Sequence, residues 1–236
     1  MQASWLPHTF GWHRLPVRPR TCWVAASDTQ AWWLLGFAGA RQGRLGAAAL
    51  HARGQALPGP EVPRWRGQPC WRPRLHATLP AHATVRWQCP PGPQAQRPAD
   101  AKADCWLAAA QALDLPPEEV CWQAEPARPG AQPSGWAVPR RTVLDLQQGL
   151  HRLGWRLGAI EPEAWSAQRA WAALQGGWEA LLGDAPQDWR WQDAPDTSDP
   201  QRAPIEEVQA RVPLDTWRCL CASGLGLGVW QSGGAA

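Results

Sequence analysis

Between Ser134 and Leu174 the hydrophobic periodicity changes three times, and that succession narrows the fold more than any other feature of the chain. GWAVP is a short apolar run of strand length. The next stretch places Val143, Leu146, Leu150 and Leu153 at i, i+3, i+7 and i+10, with Gly154 as the stop, which predicts an amphipathic helix over 141–153. WRLGAIEP (155–162) reads as a strand. PEAWSAQRAWAALQ (162–175) reads as a helix with Pro162 near its first position and Ala164, Ala167, Trp171 and Leu174 facing inward. Strand, helix, strand, helix implies a mixed α/β fold.

Upstream, TCWVAA (21–26) and AWWLLGF (31–37) predict an opening hairpin turned by Ser27, Asp28 and Thr29. Residues 46–57 fit strand and helix equally. Pro58, Pro60, Pro63, Pro69 and Pro73 forbid a continuous helix and disfavour a long ladder, so 58–73 is expected to be a loop. LHATLP (75–80) and ATVRWQCP (83–90) look like short strands, the second alternating Val85, Trp87 and Cys89 against polar residues. A proline-rich linker (90–98) leads to a helix over 99–113, with Trp106, Ala109 or Ala110, and Leu113 on one face. A strand is expected at 120–123. Residues 183–204 are polar and proline-broken, which suits a mobile loop. The end of the chain reads as a short apolar element and a glycine-rich tail.

A length of 236 residues suffices for one large or two small domains, and 44% hydrophobic residues can fill a core. A net charge of +3 with largely dispersed arginines does not demand a nucleic-acid partner. The 19 tryptophans, like the arginines, prolines and alanines, follow GC-rich codons, so genome bias is the first explanation for them. Trp23, Trp33, Trp87, Trp155 and Trp171 are expected in the core. Trp5, Trp12, Trp65, Trp71, Trp189 and Trp191 fall in loops, where some could be exposed anchors. Seven cysteines without a C-x-x-C pair fit a reducing compartment better than a disulfide framework. No apolar run reaches the length of a membrane span, and the first twenty residues lack a signal-peptide core.

Catalytic and metal patterns are weak. GLGLG (224–228) lacks the following helix that a dinucleotide fingerprint requires before the chain's last residue. Cys219 and Cys221 are too close for a structural metal pair, and no G-x-S-x-G is present. Glu118 and Glu119 suit a turn or helix start. Glu161 and Glu163 bracket Pro162 at a helix N-terminus, where the dipole favours acids. No metal and no catalytic residue is expected.

The run GWAVPRRTVLDLQQGLHRLGWRLGAIEPEAWSAQRAW, preceded by LPPEEVCW, resembles the first half of PilM-type pilus-assembly proteins. The resemblance covers roughly residues 75–175. LHATLPAHATVRWQCP is similar to that family's paired strands, and the terminal CASGLGLG to its closing helix. The cytoplasmic part of the secretion protein GspL is a near relative. The resemblance implies a partial actin-like (ribonuclease H-like) fold with a small inserted subdomain and a truncated second half. Its expected layout is an irregular segment (1–20), actin-like core (21–97), inserted subdomain (98–133), core continued (134–182), mobile loop (183–204) and C-terminal segment (205–236).

The resemblance further implies a cytoplasmic scaffold, peripheral to the inner membrane, that binds the cytoplasmic tail of a single-span, PilN-like partner. Transferred residue by residue, the partner groove would involve Trp106, Leu107, Ala110, Pro116 and Trp122. Actin-like ATPases carry D-x-G in the first hairpin, where backbone N–H groups approach phosphate and the acid orients Mg²⁺. Here that stretch is VAASDTQAWW, so Asp28 is the only nucleotide-site candidate and stands without its glycine. No cofactor is expected. Two other readings remain open at this point: an actin-like ATPase with a degenerate cleft using ATP and Mg²⁺, and an Arg- and Trp-rich module for single-stranded nucleic acid.

Overall fold

The computed structural model describes residues 21–27, 31–38, 48–60, 64–65, 68–69, 73–90, 98–125, 132–183, 186–192 and 203–231. Asp28, the irregular segment 1–20, Trp5, Trp12 and Trp71 lie outside the described residues, as does the side chain of Trp65.

Strict alternation builds the main sheet. In β1 (Thr21–Ser27) Val24 and Ala26 face one side and Ala25 the other. In β2 (Trp32–Ala38) Trp33 and Leu35 oppose Leu34 in the same way, and all six are buried. A strand hydrophobic on both sides must be covered on both sides. β1 pairs antiparallel with β2, and β2 with β3 (Ala48–Gly54), so the ambiguous stretch 46–57 holds a strand. β6 (Arg74–Leu79) lies parallel to β1, and β10 (Arg156–Pro162) parallel to β6. The order is β10-β6-β1-β2-β3. Three antiparallel strands followed outward by two parallel ones is the ribonuclease H-like arrangement of an actin-like half. Within the proline-rich 58–73 stretch, β4 (Arg64–Trp65) and β5 (Gln68–Pro69) form only a two-residue ladder, as that many prolines allow.

The connection from β6 to β10 carries the inserted unit. There β7 (Val85–Gln88), β9 (Ser134–Pro139) and β8 (Val120–Ala124) make an antiparallel sheet in the order β7-β9-β8, and α1 (Pro98–Leu113) covers it. This differs from the expected 98–133 boundaries. β7 and β9 pair with each other rather than with the main sheet, so the unit's framework runs from β7 through β9. α2 (Arg140–Arg152) then packs Leu150 and Leu146 beneath the main sheet with Ala25, Leu34, Leu75 and Trp155.

On the opposite face lie α3 (Glu163–Ala173) and α6 (Leu214–Gln231), joined through α4 (Trp178–Gly183) and α5 (Ile205–Arg211). After Arg218 the α6 sequence has no charged residue, and it is buried nearly all round. Leu220, Leu225 and Leu227 are each at most 2% exposed, a burial that stabilises by about 2 kcal/mol apiece. The expected glycine-rich tail is therefore a core helix. Two further expectations change. Ala164 points to solvent while Ala170 takes the inward position. Within the expected mobile loop 183–204, residues 186–192 are anchored: Trp189 and Trp191 are buried edge-to-face, and the Trp191 backbone bridges Leu174. Residues 193–202 lie outside the described residues.

Candidate functional site

The inserted unit presents a groove at the end of α1. The helix stops at Asp114, whose φ of 54° turns the chain back so that Leu115 N–H donates to Ala110 O at 3.2 Å. Pro116 and Pro117 cannot continue the helix, and a 3₁₀ turn follows over Pro117–Glu119. Trp106 Nε1–H donates to Pro117 O at 2.8 Å, and Arg140 Nη1 donates to Glu118 O at 3.4 Å, so both sides of the turn are tied down. Between the helix and the turn lies a groove of about 390 Å³ lined by Leu107, Ala110, Gln111, Asp114, Leu115, Pro116 and Pro117. Leu107 is 50% exposed while Ala110 forms a buried floor. Asp114 and Gln111 are the polar residues of the lining, and Glu118 and Glu119 are exposed on the turn that follows Pro117.

Of the five residues expected at a partner groove, Leu107, Ala110 and Pro116 line it together. Trp106 stands beside it, half exposed, holding the turn. Trp122 does not join them. It packs edge-on against Trp87, centroids 5.6 Å apart, half-buried against the core of the small sheet. The α1 residues that pack inward are Cys105, Ala108, Ala109 and Ala110, while Trp106 is 41% exposed, so Trp106 is not part of the inward face with either alanine that the periodicity offered.

A second cluster occupies the end of the main sheet. In open α/β sheets ligands approach the carboxyl ends of parallel strands, here just beyond Ser27, Leu79 and Pro162. Glu163, 3% exposed, pairs there with Arg218 of α6 and accepts the Ala81 backbone N–H at 3.1 Å. Arg218 also lies over the Trp33 ring, 6.0 Å from its centroid. Burial pushes the Glu163 carboxyl up while Arg218 pulls against that shift. Beside this pair, Glu161 receives two hydrogen bonds from Arg169, at 2.5 and 2.8 Å, and one from Ser166 Oγ at 2.7 Å. The sequence signal for both clusters was the acid pair around Pro162. What it could not supply was the partner in α6, more than fifty residues away. Cys219 and Cys221 lie behind, their thiols pushed up by burial, Cys219 to about 12. Among the described residues no His, Cys, Asp and Glu group has metal-binding geometry, and no helix is long and apolar enough to cross a membrane.

No family model and no curated protein matches the chain. Solved structures do. The cytoplasmic domain of EpsL, an inner membrane component of the type II secretion system of Vibrio cholerae, aligns at 12% identity over 62% of this chain and 58% of its own, with a TM-score of 0.43. A PilM–PilN type IV pilus biogenesis complex aligns at 15% identity over 64% and 50%, TM-score 0.44. A Bacteroides thetaiotaomicron protein of unknown function with an actin-like ATPase fold aligns at 5% identity over 71% and 60%, TM-score 0.36. The chain spans between 50% and 60% of the length of these structures.

Proposed function

We propose that this chain is a non-catalytic, PilM-type scaffold of a type IV pilus or type II secretion assembly machine, and that the groove at the end of α1 receives the cytoplasmic tail of a single-span inner-membrane partner. The observation that carries the reading is the groove itself: an exposed apolar trough on the inserted unit, with a helix wall and a turn fixed by Trp106. Its lining includes Leu107, Ala110 and Pro116, three of the five residues that the sequence resemblance assigned to partner contact. An extended segment laid there gains affinity by burying Leu107 and Pro116, at about 25 cal/mol per Å² before the cost of association. Cytoplasmic flanks of membrane spans carry an excess of Lys and Arg, and the acidic rim of Asp114, Glu118 and Glu119 suits such a tail. The scaffold reading, as opposed to an ATPase, is supported by the main-sheet end, where Glu163 and Arg218 neutralise each other instead of facing an open cleft.

The test is a pull-down of the full chain from detergent-solubilised host membranes, with mass-spectrometric identification, followed by titration with the synthetic tail of the captured protein. Leu107→Asp puts a charge into the trough at a position already half exposed, so folding is preserved. It is expected to weaken binding at least about tenfold. Asp145→Ala on α2, whose carboxylate makes only an exposed contact with Arg141, serves as control. Equal recovery of the partner by wild type and both variants removes the groove from the function. Recovery of no single-span protein by wild type removes the scaffold reading.

A further inference from the structure

Cys89 follows β7, and Cys105 lies in the first half of α1, on the face that packs against the small sheet. Their sulfurs are 3.7 Å apart, in van der Waals contact, and both side chains are buried, 8% and 7% exposed. The other cysteines with described side chains are placed differently. Cys121 is on β8, where its side chain packs toward Trp136 and Val138 instead, and Cys219 and Cys221 sit two residues apart in the core helix α6. Forming a bond from this contact requires the sulfurs to close by roughly 1.7 Å, within reach of side-chain rotation and a small shift of α1.

We propose that Cys89 and Cys105 are a thiol-modification site: a reversible intramolecular disulfide that staples α1 to the small sheet, formed by exchange with a low-molecular-weight disulfide. One cysteine thiolate attacks a sulfur of the external disulfide, giving a mixed disulfide and releasing one thiolate. The second cysteine thiolate then attacks the cysteine sulfur of that mixed disulfide and expels the second thiolate. The protein loses two electrons and two protons, and the external disulfide is reduced to two thiols. Burial and the neighbouring Cys105 thiol push Cys89 up to about 11, so Cys89 rests as the thiol. Exchange therefore proceeds through openings of α1 and is slow, as befits a pair that oxidises only when a reducing compartment loses its poise. The staple acts on the inner face of α1. Neither cysteine lines the groove, which α1 walls with Leu107 and Gln111 and floors with Ala110, so oxidation fixes the groove wall without filling the groove.

The experiment uses the full chain in native buffer with excess oxidised glutathione, read by intact mass, by a non-reduced peptide map and by amide hydrogen exchange. The expected product is lighter by two hydrogens, carries one cross-link between the Cys89 and Cys105 peptides, and reverts with dithiothreitol. Exchange of the α1 amides slows by about tenfold, since opening now strains a covalent loop. Cys105→Ser abolishes both effects and Cys121→Ser leaves both. Overturning results are a glutathione adduct without the cross-link, a different cysteine pair, or a cross-link accompanied by loss of α1 protection. Where Cys105→Ser fails to fold, the wild-type map and its exchange profile alone decide.

Discussion

Gly224 shows how one missing methyl group sets the position of a helix. A Cβ there would lie 1.6 Å from the backbone O of Ser166, and one at Gly228 would lie 2.2 Å from Arg169 Nη1. Arg169 cannot swing aside freely, because it also holds Glu161 and donates to Gly224 O at 2.9 Å. Gly224→Ala therefore forces α6 off α3 and is expected to destabilise the protein by about 3 kcal/mol, the upper range for overpacking. Gly149→Ala in α2 is the contrast. Nothing lies within 4 Å of its added Cβ, and the helix gains about 0.5–1 kcal/mol in propensity. Urea denaturation of both variants measures the difference, and a Gly224→Ala midpoint equal to wild type contradicts the close approach. His76 offers a pH readout at the same scale. Its Nδ1 accepts the Ala159 N–H at 2.9 Å, so the ring is needed neutral, and burial followed by the Arg74 charge lowers its basicity below the ordinary 6.5. The unfolded imidazole then binds protons more readily than the folded one. The His76 contribution is full above about pH 6.5 and is lost as pH falls through the lowered folded value. Stability curves in this window are expected to drop toward acid, and His76→Gln to flatten the drop.

Elements whose core contacts lie within their own periodicity were legible from the sequence, and those that depend on a distant surface were not. α2 and β10 follow directly from the leucine spacing and the apolar run after Gly154, because each needs only one apolar face to be recognised. Pattern alone reads α6 as a glycine-rich tail, because its glycines cost about 1 kcal/mol each as helix formers and local propensity cannot see the α3 surface that repays them; only the likeness of CASGLGLG to a closing helix pointed to a helix there. Trp189 and Trp191 were misread for the same reason: their neighbours are polar and their cavity is made by α3, α4 and α6. At the groove, Leu107, Ala110 and Pro116 came from family resemblance, whereas placing Trp122 inward required the pairing of β8 with β9 and the contact with Trp87. The attachment of α6 is itself testable. Arg218→Ala leaves the Glu163 carboxylate buried without its cation and is expected to cost about 3–5 kcal/mol. The double change Arg218→Met with Glu163→Gln removes both charges and recovers most of that loss. If the double variant is as unstable as the single one, the pair is not what holds α6 on α3.

At the scale of the molecule, one five-stranded sheet is covered by α2 on one face and by α3 and α6 on the other, with the inserted unit placed between β6 and β10. A nucleotide bound in the manner of α/β sheets would come to the end where β1, β6 and β10 finish. Phosphate there would need free backbone N–H groups or unpaired cations. The Ala81 N–H already donates to Glu163, Arg218 is already paired with the same carboxylate, and both terminal nitrogens of Arg169 already donate, to Glu161 and Gly224 O. Among the described residues, phosphate at this end would compete with a buried ion pair, at a cost comparable to several hydrogen bonds. Calorimetric titration of the full chain with ATP and Mg²⁺ is therefore expected to give no saturable heat at millimolar nucleotide, and its thermal midpoint to be unmoved by the same addition, since a ligand that binds the folded state must raise it. Arg218→Ala, which frees the Glu163 carboxylate, should not create binding, because it adds negative charge where phosphate would lie. A micromolar dissociation constant in the wild type, abolished by Asp28→Ala, would establish a working nucleotide site at the first hairpin and replace the scaffold reading with that of an actin-like ATPase.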